Sequence, residues 1–182
     1  MNKRVSFKTN TLLKNLVGKD LINDDSIAVV ELVKNAYDAS SDSVLIRLEG
    51  LSDHGTTTDE SRLMIADKGI GMDDADIRDK WLNIAYSDKK LAPKLHGAYF
   101  AGNKGIGRFS CDRLGAQLDM FTRKAGGDIY HLKISWPDFE IEGKKDLTIQ
   151  QIKVPLRTVT ADEVKAISEA KMSHRGTILL IS

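Results

Sequence analysis

Three side chains on one helical stretch, and two glycine clusters further along, are the residues with the types and spacing to do chemistry. The stretch Ser26-Ile-Ala-Val-Val-Glu31-Leu-Val-Lys-Asn35-Ala-Tyr-Asp38-Ala39 contains no Gly or Pro. Ser26, preceded by Asn23, Asp24 and Asp25, offers a helix N-cap. At about 100° per residue, Glu31, Asn35 and Asp38 fall in a stripe roughly 60° wide. Ala28, Val29, Val30, Leu32, Val33, Ala36 and Ala39 occupy most of the remaining circumference. So apolar a helix is expected to be mostly buried. Its polar stripe then faces either solvent, as an ordinary polar face, or a ligand, because buried carboxylates need partners. In the second case Glu31 is a candidate base, and Asn35 and Asp38 are oxygen donors suited to a hard cation such as Mg²⁺.

The first glycine cluster, Asp67-Lys-Gly69-Ile-Gly71-Met72, follows the strand-like run Arg62-Leu-Met-Ile-Ala66. Glycines here let a ligand approach the backbone closely. Asp67 could accept hydrogen bonds from an exocyclic amine, and Met72 offers a polarizable surface to a flat ring. An ordinary strand-to-helix turn would read the same way. The second cluster is Gly102-Asn-Lys104-Gly105-Ile106-Gly107-Arg108-Phe-Ser110. It opens a helix expected over 105–114, with Phe109 and Leu114 inward. Free N–H groups and the positive end of a helix dipole make a phosphate cradle, and Lys104 and Arg108 add positive charge. The spacing is neither a Walker A loop nor a dinucleotide fingerprint, and kinase catalytic-loop motifs are absent.

The elements that must position these residues follow from the rest of the chain. Its 182 residues suit one domain with a sizeable core. Lys+Arg 27 against Asp+Glu 26 leaves a formal charge of +1, which gives no general case for nucleic acid or an anionic membrane. A single Cys111 excludes an internal disulfide, and no Cys/His spacing suggests zinc. No segment is long enough to cross a bilayer, so a cytoplasmic setting is expected. A short helix is read at 8–17, stopped by Gly18. Strands are read at 43–49, 62–66, 117–123, 128–135, 147–154 and 175–181, and helices at 73–81 and 161–171. Residues 86–101 read as a long irregular segment of the kind that forms lids; Lys89, Lys90 and Lys94 in it read equally as a solvated surface. The pattern predicts an α/β (α+β) two-layer sandwich, a mixed, mostly antiparallel sheet with helices on one face. Gly176-Thr-Ile-Leu-Leu-Ile-Ser182 reads as a core strand on which the chain stops, so an N-terminal domain of a longer protein is expected.

Taken in order, Glu31-x-x-x-Asn35-x-x-Asp38-Ala39, Asp67-x-Gly69-x-Gly71-Met72, Gly102-x-x-Gly105-x-Gly107 and Gly176-Thr177 resemble the N box, two glycine boxes and last box of the GHKL ATPases. That family includes gyrase B subunits, heat-shock chaperones, histidine kinases and MutL proteins. The resemblance covers nearly the whole chain and implies a Bergerat ATP-binding fold over residues 1–182, with an N-terminal arm at 1–24 and an ATP lid at 86–101. It implies ATP and Mg²⁺ as ligands, with Asn35 holding the metal against the phosphates. Asp67 would bond the adenine amine with support from Thr177, and Met72 would pack on the ring beside Gly69 and Gly71. Ser87, Lys104, Gly105, Ile106, Gly107 and Arg108 would belong to the lid and phosphate contacts. Glu31 would be the general base and Asp38 a supporting residue.

Histidine kinases usually place Asn where this chain has Glu31, so the Glu favours hydrolysis over phosphotransfer. The fuller text of the boxes resembles MORC-like and bacterial GHKL ATPases, some of them in defence against phage. The implied function is slow ATP hydrolysis gating lid closure and a nucleotide-dependent homodimer of a larger protein with a downstream transducer or effector domain. Nucleic acid would enter only through other domains, and no membrane is implied. The alternative is a non-hydrolysing nucleotide sensor or histidine-kinase-type module.

Overall fold

The computed structural model describes residues 24–83, 110–139 and 151–182, together with the backbone of residues 94–95 and 98–99. The helix expected at 8–17, the arm before Asp24, the second glycine cluster up to Phe109 and most of 86–101 lie outside the described residues.

Helix α1 spans Asp25–Asp38. Its N-cap is Asp24 rather than Ser26: the Asp24 carboxylate accepts from the backbone N–H of Ser26 at 2.7 Å and of Ile27 at 3.3 Å. The helix ends at Ala39, and Ser40 turns away with φ +58°. The expectation that α1 is mostly buried does not hold. Ala28, Leu32, Ala36 and Asp38 are buried, but Ile27, Val30 and Tyr37 are 51%, 51% and 54% exposed. Its neighbours, the helix at 110–114 and the sheet, cover only one arc of it.

Strand β1 (Val44–Glu49) pairs with β2 (Arg62–Asp67). The short helix α2 (Asp74–Asp76), capped by Asp73, runs into a π-helical turn, Ile77–Trp81. Two-residue strands β3 (Lys94–Leu95) and β4 (Ala98–Tyr99) pair with each other, so the segment expected to be irregular contains a small hairpin. Helix α3 (Ser110–Leu114) leads into the hairpin of β5 (Gln117–Arg123) and β6 (Ile129–Ser135). The strand expected at 147–154 is instead β7, Leu156–Val159; residues 147–150 lie outside the described residues, and 152–155 are not in a strand. Pro155 lacks an N–H to give the ladder, and the pairing Leu132↔Leu156 begins just after it. Helix α4 (Ala161–Ser168) opens on a Thr160–Glu163 capping box, and β8 (Gly176–Ile181) closes the sheet.

The sheet order is β1-β2-β8-β5-β6-β7, antiparallel at every pairing. Side chains alternate between its faces. On one face Ile65, Leu118, Met120, Leu132, Ile134 and Ile181 pack with Leu32 of α1, Ile77 of the π-turn and Cys111 of α3. This is the helical layer expected from the sequence. On the other face Met64, Phe121, Ile129, Ile178 and Leu180 pack with Val164 of α4 and Met172. That second cover follows from topology. β7 is the outer strand and β8 is central, so their connection must cross the sheet, and it crosses on the side α1 leaves free.

Cys111 is buried in the first cluster. Burial, with the Asp112 carboxylate beside it, pushes its thiol up to about 12. Thiolate is the reactive form, so the native protein should resist maleimide at pH 8 while the urea-unfolded chain reacts readily. Rapid stoichiometric labelling of the native state would show that α3 opens or that the thiol is not held as described.

Candidate functional site

The site is assembled where β2 ends, β8 begins and β5 ends. Antiparallel register sets these ends side by side, with Ala66 opposite Ile178 and Thr177 opposite Thr122. By alternation Asp67, Thr177 and Thr122 continue the rows of Ile65, Leu179 and Met120. All three therefore stand on the face covered by α1.

Asp67 is the last residue of β2. Its Oδ1 accepts from the Gly69 backbone N–H at 2.7 Å. Burial pushes its carboxyl above the usual range, while the N–H groups of Gly69 and Thr177 pull the other way, and no charged side chain among the described residues contributes. Beyond Gly69 the chain turns at Gly71, where φ is +64° and an added Cβ would lie 1.8 Å from the Arg123 carbonyl oxygen. Met72 then donates its N–H to Thr122 Oγ1 at 3.0 Å and packs against the core.

The same loop touches the end of α1. Ile70 N–H donates to the Ala39 carbonyl at 2.8 Å, and Lys68 N–H to Ser41 Oγ at 2.9 Å. The loop's far side is fastened to the end of β5: Lys124 Nζ reaches Asp73 Oδ2 at 2.7 Å and Asp76 Oδ2 at 2.5 Å. Burial works against the Asp76 carboxylate, yet hydrogen bonds from Lys124 and Lys80 hold it down at about 2.

The structure thus brings Asp67, Gly69, Gly71, Met72 and Thr177 together beside the C-terminal end of α1. Asp38 is buried there. Asn35, about one turn back, is exposed. Glu31, about two turns back, is half-buried, and its Oε1 accepts from Lys34 Nζ at 2.7 Å. An exposed carboxamide oxygen near a half-buried carboxylate is a donor set that fits one hard cation with the remaining positions filled by water and phosphate. Ser87, Lys104, Gly105, Ile106, Gly107 and Arg108 lie outside the described residues.

Sequence reasoning passed over Thr122 and Lys34. The signal for Thr122 was present: in Leu118-x-Met120-x-Thr122 it is the one polar side chain in the inward row of β5. Lys34 reads as a surface lysine unless the helix is built and the reach to Glu31 measured.

Gly71→Ala should destabilise the protein by about 2 kcal/mol or more, because a left-handed conformation and an overpacked contact add together. Gly55 is the control. It has φ +74° but nothing within 4 Å of an added Cβ, so Gly55→Ala should cost only the conformational part, about 1 kcal/mol. Equal losses in urea denaturation would mean that the collision at Arg123 relaxes freely.

A family model described as histidine kinase-, DNA gyrase B- and HSP90-like ATPase matches residues 24–172. Among curated proteins, the chain is 27% identical over 142 residues to a mitochondrial TNF receptor-associated protein 1 homolog from Dictyostelium discoideum, covering 69% of this chain and 20% of that protein. It is 30% identical over 124 residues to the chaperone protein HtpG of Nitrobacter winogradskyi, covering 57% of this chain and 19% of that protein. The chain spans about a fifth of the length of these relatives. The family match takes in α1, the glycine loop and every strand but β8, and on its breadth the chain belongs to the histidine kinase-, DNA gyrase B- and HSP90-like ATPases.

Proposed function

We propose that this chain binds ATP with Mg²⁺ at the shared end of β2, β8 and β5 and hydrolyses it slowly. The observation that carries the reading is Asp67: a desolvated carboxylate, answered only in part by two backbone N–H groups, at the end of a central strand. Such a group suits a ligand amine, which donates hydrogen bonds and brings no charge. In this reading Asp67 and Thr177 accept from the adenine end, Gly69 and Gly71 let the ring approach the backbone, and Met72 covers its face. Asn35 is the residue to hold Mg²⁺, which when bound would neutralise phosphate charge. Asp38 supports it. Ser87, Lys104, Gly105, Ile106, Gly107 and Arg108 serve the phosphates and lid, and Glu31 accepts the proton of the attacking water.

The nucleotide state would gate lid closure and pairing of two copies of a longer protein with an effector domain. The likeness to a chaperone protein supports an Hsp90-type cycle. Neither relative supports the MORC-like, phage-defence placement expected from the text of the boxes. No described helix is long and apolar enough to cross a membrane, and a cytoplasmic setting belongs to the proposal.

One observation favours the second reading, a nucleotide sensor or kinase-type module that hydrolyses nothing. Glu31 is already paired with Lys34, as a residue with a purely structural role would be. Turnover decides between them. Glu31→Ala should keep ATP affinity near wild type and slow phosphate release in the full-length protein by roughly 10²–10⁴-fold. Unchanged turnover with binding intact would move the chain to the sensor reading.

Asp67 yields a separate expectation. Asp67→Asn turns an acceptor toward a donor and should nearly abolish ATP binding with the fold retained, an unpaired polar group in a dry site costing about 1–3 kcal/mol or more. Folding raises the pKa of this carboxyl. Ionised Asp67 therefore subtracts from stability above its folded-state pKa, and the penalty fades as pH falls toward the ordinary value of about 3.9. Nucleotide affinity should move the opposite way. It should weaken on acidification at a pH above that ordinary value, as the carboxylate becomes a donor. Calorimetric titration across pH is the check, and an affinity indifferent to pH down to that range, or within twofold of wild type in Asp67→Asn, would remove Asp67 from the contact.

A further inference from the structure

Thr122 Oγ1 is fully buried and, among the described residues, has three neighbours at hydrogen-bond distance: Met72 N at 3.0 Å, the Gly176 carbonyl oxygen at 3.2 Å and Thr177 Oγ1 at 3.0 Å. A hydroxyl has one proton to give and two lone pairs to fill. The Met72 N–H can only donate, and the Gly176 carbonyl can only accept. If the Thr122 proton goes to Gly176, its lone pairs take the Met72 N–H and the Thr177 hydroxyl proton, and all three contacts become hydrogen bonds. If the Thr122 proton goes to Thr177 instead, the Gly176 contact is lost and only two bonds form. In a dry site the arrangement with more bonds prevails.

The favoured arrangement has a consequence at Thr177. With its proton committed to Thr122, Thr177 Oγ1 offers the ligand lone pairs only. Its neighbour Asp67, toward which the Thr177 N–H points, also offers only lone pairs when ionised. We propose that Thr122 is a positioning residue that sets base selectivity, holding the Thr177 hydroxyl as an acceptor so that this end of the site takes a purine with an exocyclic amine and rejects one with a carbonyl there. The proposal rests on the reading that the Asp67 end receives the base. It goes further in assigning selectivity to a side chain that need not touch the ligand. Without the Thr122 hydroxyl, Thr177 is free to rotate and donate, and the penalty against a carbonyl falls.

The experiment is calorimetric titration of ADP and of inosine diphosphate, both with Mg²⁺, into wild type, Thr122→Val and Thr122→Ser. Wild type should prefer ADP. Thr122→Val should lower the ADP-to-inosine-diphosphate preference roughly fivefold, about the worth of one hydrogen bond, and Thr122→Ser, which restores the hydroxyl, should recover it. A Thr122→Val protein that weakens for both ligands by the same factor would overturn the proposal and leave the ATP reading standing. A wild-type protein without preference for ADP would overturn both. Should Thr122→Val fail to fold, Thr177→Val carries the test: it must lower the same preference, and an unchanged ratio counts against the proposal.

Discussion

A carboxylate held away from water needs something to answer its charge, and at Asp67 the described residues supply the backbone N–H groups of Gly69 and Thr177. Those two groups come from distant parts of the chain. Gly69 belongs to the loop that leaves β2, and Thr177 to the strand that enters the sheet last. They meet only because β8 inserts between β2 and β5. The site therefore exists only once the non-local pairing of β8 is made. In the proposed function, a ligand that donates to this carboxylate would offset the cost of placing it there.

Register transmits this constraint through the sheet. A slip of one residue between β8 and either neighbour would turn Thr177 to the opposite face, among Met64, Phe121 and Val164. Apolar side chains resist that slip: Leu179 and Ile181 on one face and Ile178 and Leu180 on the other are each packed in a separate cluster. The core that stabilises the sheet is thus also what aims the polar end of it. The cover that α4 lays over the second face bears on the proposed nucleotide site in this indirect way, by making β8 buried on both sides.

How much of this was legible in the sequence depended on whether a feature is local. Asp67-x-Gly69-x-Gly71-Met72 and the polar stripe of α1 are contiguous stretches whose spacing carries their meaning, and the glycine loop meets the C-terminal end of that helix at Ala39. The failures are non-local or depend on reach. Thr122 is one threonine in a strand until β8 pairs with it. Ser26 was an adequate cap on residue type, but the Asp24 carboxylate reaches two N–H groups at once. The alternation up to Val154 reads as a strand, whereas the described residues 152–155 are not in one and the ladder to β6 starts after Pro155. Composition alone put α1 deep in the core, because it cannot say how wide an arc its neighbours will cover.

The two halves of the site differ in how they are held. The Asp67 half is tied at several points: Gly71 lies against the Arg123 carbonyl, Lys124 bridges Asp73 and Asp76, and Thr122 links Met72 to Gly176 and Thr177. The Glu31 half rides on the side of a helix whose outer surface is open, and its one described contact is an ion pair between partly exposed side chains. Such a pair is worth little and exchanges readily. The end of the site proposed to receive the base is therefore built on a part of the molecule with few alternatives. The group assigned to proton transfer keeps the freedom to leave Lys34 once phosphates and a metal ion alter the charge around it. With about two turns of helix between them and no described contact in common, the two halves should respond to substitution nearly independently. A chain of this design can keep its nucleotide while its hydrolytic step is switched on or off, which is what the two readings of its function have in common.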